Sequence, residues 1–392
     1  MTNNANVIGV DMVKFEKPGK NEPYEIMASK AITNALKDAG ISLPDVDQAY
    51  ASYVYGDSTS GQTALYRVGM TGIPIINVNN NCSSGSTALF LARQAVESGA
   101  AECALAFGFE EMQPGALGEN WSDRTSPFQW LYDQFDVLNP ELPDGPVALK
   151  VFGAAGIEYL EKYGANPDIF GKVAVKSRQH AVHNPYSLFT NRITLDEVMQ
   201  SPEVYPGLKR LMACPPTCGA AAIIVCNDAF AKKHNLRKAV RITAQSMTTD
   251  KPDTKNDNMH LVGIKMTEKA AAAVYEKSGI GPEDIDVVEL HDCFTPNEVI
   301  SYEGLGLVEK GGAEKFIHNQ DNTYGGKIVV NPSGGLMSKG HPLGATGLAQ
   351  CTELVWHLRG EAGKRQVEGA QVALQHNLGL GGACVVTMYQ TL

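Results

Sequence analysis

The sequence predicts a layered α/β protein made of two duplicated halves, with a loop-rich insertion in the first. Two blocks recur in the same order along the chain. DAGISLPDVD, carrying Gly40, Ile41, Val46 and Asp47, is echoed by KSGIGPEDID, carrying Gly279, Ile280, Ile285 and Asp286. NCSSGSTAL, from Asn81, overlays GHPLGATGL, from Gly340, so that Gly85 meets Gly344, Thr87 meets Thr346 and Leu89 meets Leu348. Two matches in one order are the mark of a repeated unit. Apolar strand-like runs also alternate with helical patterns in both halves, as sheet-and-helix layers require.

Each copy of the first block reads as the end of an amphipathic helix, a glycine cap, a short loop and an apolar strand. The strands are QAYASYVYG in one half and VVELHDCF in the other. IINVNN is the next strand, and SSGSTALFLARQAVESG is a helix running to Gly99. That helix is apolar on every side over Ala88, Leu89, Phe90, Leu91 and Ala92, which predicts burial between layers. Ala104 to Phe107 is a further strand. From about Gly118 to Leu208 the rhythm breaks at Trp121, Trp130, several prolines and HAVHNPYSLFTNR, and we read a loop-rich lid domain there. Strands resume at Ile223-Ile224-Val225 and again at Val372-Ala373-Leu374. The division expected is 1–117 with 209–245 for the first half, 118–208 for the insertion and 246–392 for the second half.

Bulk properties narrow the function. A length of 392 residues is enough for two or three packed units. A net charge of −10 without a basic stripe argues against a nucleic-acid surface. No apolar run approaches the ~20 residues that cross a bilayer. The start of the chain lacks a signal-peptide pattern and its end a peroxisomal address, so a cytoplasmic protein is expected. Eight cysteines are too sparse for a disulfide framework. Cys214 and Cys218 form a CxxxC without a second ligand pair, so no metal is expected. LQHNLGLGGA lacks the order of a dinucleotide fingerprint, and NPSGGLMSKGHP lacks Walker spacing.

Four segments can do chemistry. Cys82 opens a helix, where unpaired N–H groups and the positive end of the dipole favour thiolate. His341 is its counterpart in the repeat, and if the halves pack about a pseudo-twofold axis both helix starts converge on one site. A histidine beside a cysteine can take its proton. In HDCF, an extended segment would put His291 and Cys293 on one face and Asp292 with Phe294 on the other. Gly379, Gly381 and Gly382 follow a strand and would let backbone N–H groups approach a reacting carbonyl.

Taken together, NNNCSSGSTAL, ELHDCFTPNE, NPSGGLMSKGHPLGATG and LQHNLGLGG resemble the thiolase superfamily, most closely its sterol carrier protein x-type branch. The likeness covers essentially the whole chain, including GDSTSGQ near Gly56 and DNTYGGK near Asp321. It implies a five-layered αβαβα core and CoA-dependent cleavage of 3-ketoacyl-CoA, an acyltransferase reaction of lipid metabolism. Cys82 matches the acyl-accepting cysteine and His341 the histidine that activates it. The main branch has N-E-A-F in its third loop and C-x-G in its fourth. Here the third reads HDCF and Asn377 stands where the second cysteine would be, so Cys293 is implied as the acid/base. The resemblance also implies that His291 joins His341 in holding a thioester oxyanion, and that the Cys82 and Gly379 N–H groups hold the acyl adduct.

Acyl-CoA and CoA are the implied partners, CoA being a substrate, with no permanently bound cofactor. A homodimer or dimer of dimers is implied, with NVNNN at the subunit contact and no membrane insertion. PTCGAAA, Pro216 to Ala222, departs from the acidic residue many thiolases carry there. Acetoacetyl-CoA synthesis, or a thiolase-like acyl-CoA-binding or aldolase partner subunit, are the alternatives.

Overall fold

In the central strands both faces are buried, and that dictates what they are made of. The segment GAAAIIVCN alternates between two cores. Ala220, Ala222, Ile224 and Cys226 share one cluster, and Ala221, Ile223 and Val225 another. A computed structural model describes residues 3–113, 121–236 and 238–392. Ten strands carry the fold: β1 (Ala5–Met12), β2 (Gln48–Ser52), β3 (Ile75–Val78), β4 (Cys103–Glu110), β5 (Gly219–Asn227), β6 (Val240–Thr248), β7 (Val287–Glu289), β8 (Val329–Val330), β9 (Val372–Gly379) and β10 (Ala383–Thr391). Their order is β3-β2-β4-β5-β1-β6-β10-β9-β7-β8.

The duplication is visible in the ladders. β2 pairs parallel to β3 and β4, while β5 runs antiparallel to β4 and β1. In the same way β7 pairs parallel to β8 and β9, while β10 runs antiparallel to β9 and β6. Among the described residues the two sets join where Asn6 and Val7 meet Arg241 and Val240. Helix α1 (Tyr24–Ala39) packs on β1 and β5 and ends at Gly40, φ 70°. Its counterpart, Ile264–Ser278, packs on β6 and β10 and ends at Gly279, also φ 70°. Between the two strand sets lie α2 (Ser84–Ser98) and a helix over Leu343–Arg359, packed on one another. The layers therefore run αβαβα, as expected from the resemblance.

Gly85 and Gly344, matched in the repeat, touch in space. A Cβ on Gly85 would lie 2.9 Å from the Gly344 carbonyl oxygen. One on Gly344 would lie 2.4 Å from the oxygen of Phe109. Glycine at 85 lets the two central helices approach this closely, and glycine at 344 lets the second helix lie against the ends of β2 and β4.

The insertion differs from the loop-rich reading. Its boundary near Gly118 lies outside the described residues. From 121 onward it holds helices over Gln129–Leu138, Val147–Tyr163, Asp168–Ala181 and Leu195–Gln200. The prolines that suggested irregular chain punctuate these helices, and Trp130 lies in the first turn of one of them. Within them Val151, Ala155 and Tyr159, and Ile169 and Val173, recur at helical spacing and are buried. The insertion interrupts the first half in sequence but packs on the second. Phe152 stacks on Phe294 at 5.1 Å, and Lys176 pairs with buried Glu298. The expected cut between 245 and 246 also falls inside β6. That strand pairs with β10 from Val240 onward, so the second half begins before it. No helix among the described residues is long and apolar enough to cross a membrane.

Candidate active site

The turn that carries Cys82 is built from its asparagines. Asn81 adopts φ 51°, a left-handed conformation asparagine tolerates. Its amide donates to the Leu380 oxygen at 3.1 Å, tying the turn to the glycine-rich loop. A Cβ on Gly379 would lie 2.4 Å from the Asn80 oxygen, so that loop lies directly on the turn. Helix α2 starts at Ser84 with Ser83 as its N-cap, so Cys82 stands one residue before the cap and does not open the helix.

The thiolate expectation is also corrected. Burial of the sulfur, followed by the nearby Glu110 carboxyl, pushes the Cys82 thiol up to about 12. Its own N–H and that of Leu380 pull the other way, more weakly. The residue as a whole keeps some exposure while its sulfur sits among protein atoms, and the sulfur's surroundings decide. Desolvation outweighs the dipole here, and the resting group is a neutral thiol.

His341 follows Gly340 and precedes Pro342 at the start of the other central helix. Its Nδ1 lies 2.7 Å from Thr346 Oγ1, and that hydroxyl spends its proton on the Pro342 oxygen at 3.0 Å. With the hydroxyl proton on that oxygen, Nδ1 is the donor and the lone pair lies on Nε2. That Nε2 is buried without a hydrogen-bond partner. Burial holds His341 down near 3, so it is neutral. His291 is neutral as well, lowered by burial and then by His341 and His376. The two rings meet edge-on at 5.0 Å. One ligand atom each from Cys82, His291 and His341 lie within 4.8 Å of one another. One thiol and two imidazoles are donor types that zinc takes.

Cys293 sits on the same loop as His291, which follows the short β7. Burial, then the thiols of Cys214 and Cys82 and the Asp292 carboxyl, push it well above the usual thiol range. Asp292 turns away and accepts from the Leu336 N–H at 2.7 Å. Cys214 is the first cysteine of the CxxxC. It lies on a segment threaded between the two catalytic-type loops: its N–H donates to the Cys293 oxygen at 2.9 Å, and Pro216 bridges to His341. This is the PTC segment that departs from the common thiolase pattern. Thr346 was legible as the repeat partner of Thr87, but its hold on His341 was not. Glu110, which accepts from Tyr55 and Gly344 at 2.8 and 2.9 Å, gave no signal in the sequence.

The model of the thiolase N-terminal domain matches residues 6–229, and that of the thiolase C-terminal domain-like family matches 249–389. The chain belongs to the thiolase family. This thiolase is 54% identical over 395 residues to sterol carrier protein 2 of Bos taurus, spanning 100% of the thiolase and 73% of that relative. Among solved structures, the Ltp2-ChsH2(DUF35) aldolase shares its fold with a TM-score of 0.84 at 23% identity, covering 99% of the thiolase and 98% of that chain. Human mitochondrial 3-ketoacyl-CoA thiolase in complex with CoA shares it with a TM-score of 0.73 at 20% identity, covering 100% and 98%.

Proposed function

We propose that this thiolase cleaves 3-ketoacyl-CoA with CoA, giving acetyl-CoA and a shortened acyl-CoA through an acyl group on Cys82. The observation that carries this is the Cys82 thiol clustered with His291 and His341, whose Nε2 is buried without a partner, and Cys293 on the loop that carries His291. His341 Nε2 takes the thiol proton as the sulfur attacks the 3-keto carbon. The N–H groups of Cys82 and the Gly379–Leu380 segment hold the oxyanion of the adduct. When the adduct collapses, the carbon–carbon bond breaks and the electron pair goes to the acetyl-CoA carbon. His291 and protonated His341 hold the charge on the thioester oxygen, and Cys293 gives that carbon its proton. The Cys293 thiolate then deprotonates CoA, whose sulfur displaces Cys82, and Cys82 recovers its proton from His341. Both histidines rest neutral and desolvated, so charge developing beside them meets little screening. The same groups run the condensation backwards, with direction set by metabolite levels.

Purified protein given 3-ketoacyl-CoA and CoA should form acetyl-CoA and shortened acyl-CoA in equal amounts, with ping-pong kinetics. Short, long, branched and steroid acyl chains make up the panel. Cleavage that proceeds equally well without CoA, as an aldolase would do it, defeats the reading.

A dimer belongs to the same reading. Strand β3 closes one end of the sheet, with Ile76 38% exposed on it and Met70 75% exposed nearby. An open apolar edge is a template for pairing, and this one runs straight into the Cys82 turn. Light scattering should give at least twice the 42.1 kDa chain mass. A stable, fully active monomer would refute it.

A further inference from the structure

Asn377 stands where the resemblance leaves a cysteine missing, and the structure gives it work. Its Nδ2 donates to the Cys82 carbonyl oxygen at 3.2 Å and lies 3.1 Å from His291 Nδ1. Its Oδ1 accepts from Ser86 Oγ at 2.8 Å. Ser86 Oγ accepts in turn from Gln375 Nε2 at 2.9 Å, and Gln375 Oε1 accepts from the Tyr389 hydroxyl at 2.5 Å. Tyr389, Gln375, Ser86 and Asn377 are each fully buried.

Amide orientation is ordinarily ambiguous, but two backbone carbonyls settle it here. Gly347 oxygen, 2.6 Å from the Gln375 amide, can only accept, so the atom facing it is nitrogen. Cys82 oxygen likewise can only accept, so the Asn377 atom facing it is nitrogen. That nitrogen is also the atom facing His291 Nδ1. Nδ1 must therefore accept, and the ring proton is on Nε2.

From this network we infer that Asn377 is a positioning residue: it fixes His291 as an Nε2–H donor while Thr346 fixes His341 as an Nε2 acceptor. The two histidines then differ in role before substrate arrives. Only His341 can take the Cys82 proton, and only His291 enters with a proton to offer the thioester oxygen. A single hydrogen-bond donor aimed at an oxyanion is worth about 10²–10³ in turnover. This inference rests on the thiolase reading for its kinetic consequence but not for the tautomer itself.

Two measurements test it separately. Nitrogen-15 NMR of histidine-labelled wild-type protein, with the His291 signals identified from a His291→Asn variant, should show Nε2–H and bare Nδ1. Nδ1–H on His291 overturns the inference whatever the protein catalyses. In Asn377→Ala, kcat for thiolysis should fall about 10²-fold with KM for CoA unchanged, and His291 should lose its single tautomer. A folded Asn377→Ala variant, judged by an unchanged melting profile, that keeps kcat within about threefold also overturns it. Should wild type fail to act on any 3-ketoacyl-CoA, the proposed function falls while the NMR result still decides the tautomer.

Discussion

Cys82→Ala should abolish the acyl adduct and lower thiolysis by about 10⁴-fold or more, the scale seen when a covalent nucleophile is removed. Wild-type protein given 3-ketoacyl-CoA without CoA should gain one acyl mass on the Cys82 peptide. The change removes one sulfur, and the backbone contacts of the turn do not depend on it: the Cys82 carbonyl still receives the Asn377 amide. Lost activity in a folded variant therefore reports chemistry. Because the resting thiol is held up to about 12, the variant loses a nucleophile that forms only as His341 takes its proton. Recovery of acyl label from Cys82→Ala at wild-type level would remove the residue from its role.

Cys293→Ala should behave differently. Its acyl adduct should persist, because attack by Cys82 does not need the second thiol, while turnover falls by about 10²–10⁴, the range of general acid–base catalysis. Cys293 is 5% exposed, so water is poorly placed to replace it. Cys214, whose N–H donates to the Cys293 oxygen, is a second thiol that could serve instead. Cys214→Ala with Cys293 intact should stay within a few-fold of wild type. Full turnover in Cys293→Ala with loss in Cys214→Ala would move the acid/base role to Cys214.

The parts of this protein legible in its sequence are those fixed by local rules. Gly40 and Gly279 announce helix ends, and Gly85 and Gly344 announce a close crossing, because no other side chain fits either need. The repeat alone pairs Cys82 with His341. What stayed hidden depends on contacts between distant segments. Burial, which no local pattern reports, turned the expected thiolate into a neutral thiol. Asn377 read as an absence, a cysteine not there, and its use emerges only once Ser86, Gln375 and Tyr389 are brought around it. The insertion was misread because its helices are amphipathic toward the second half, a surface the sequence of the first half does not show.

The near-identical pairing of the two halves has a further consequence. The attacking sulfur comes from the first copy of the repeat, and the base that receives its proton from the second. Cutting the chain before Val240 would give one fragment with Cys82 and another with His291, Cys293 and His341. Neither would own a complete proton transfer. The central crossing at Gly85 is therefore the place where the two copies must meet for the chemistry to run at all.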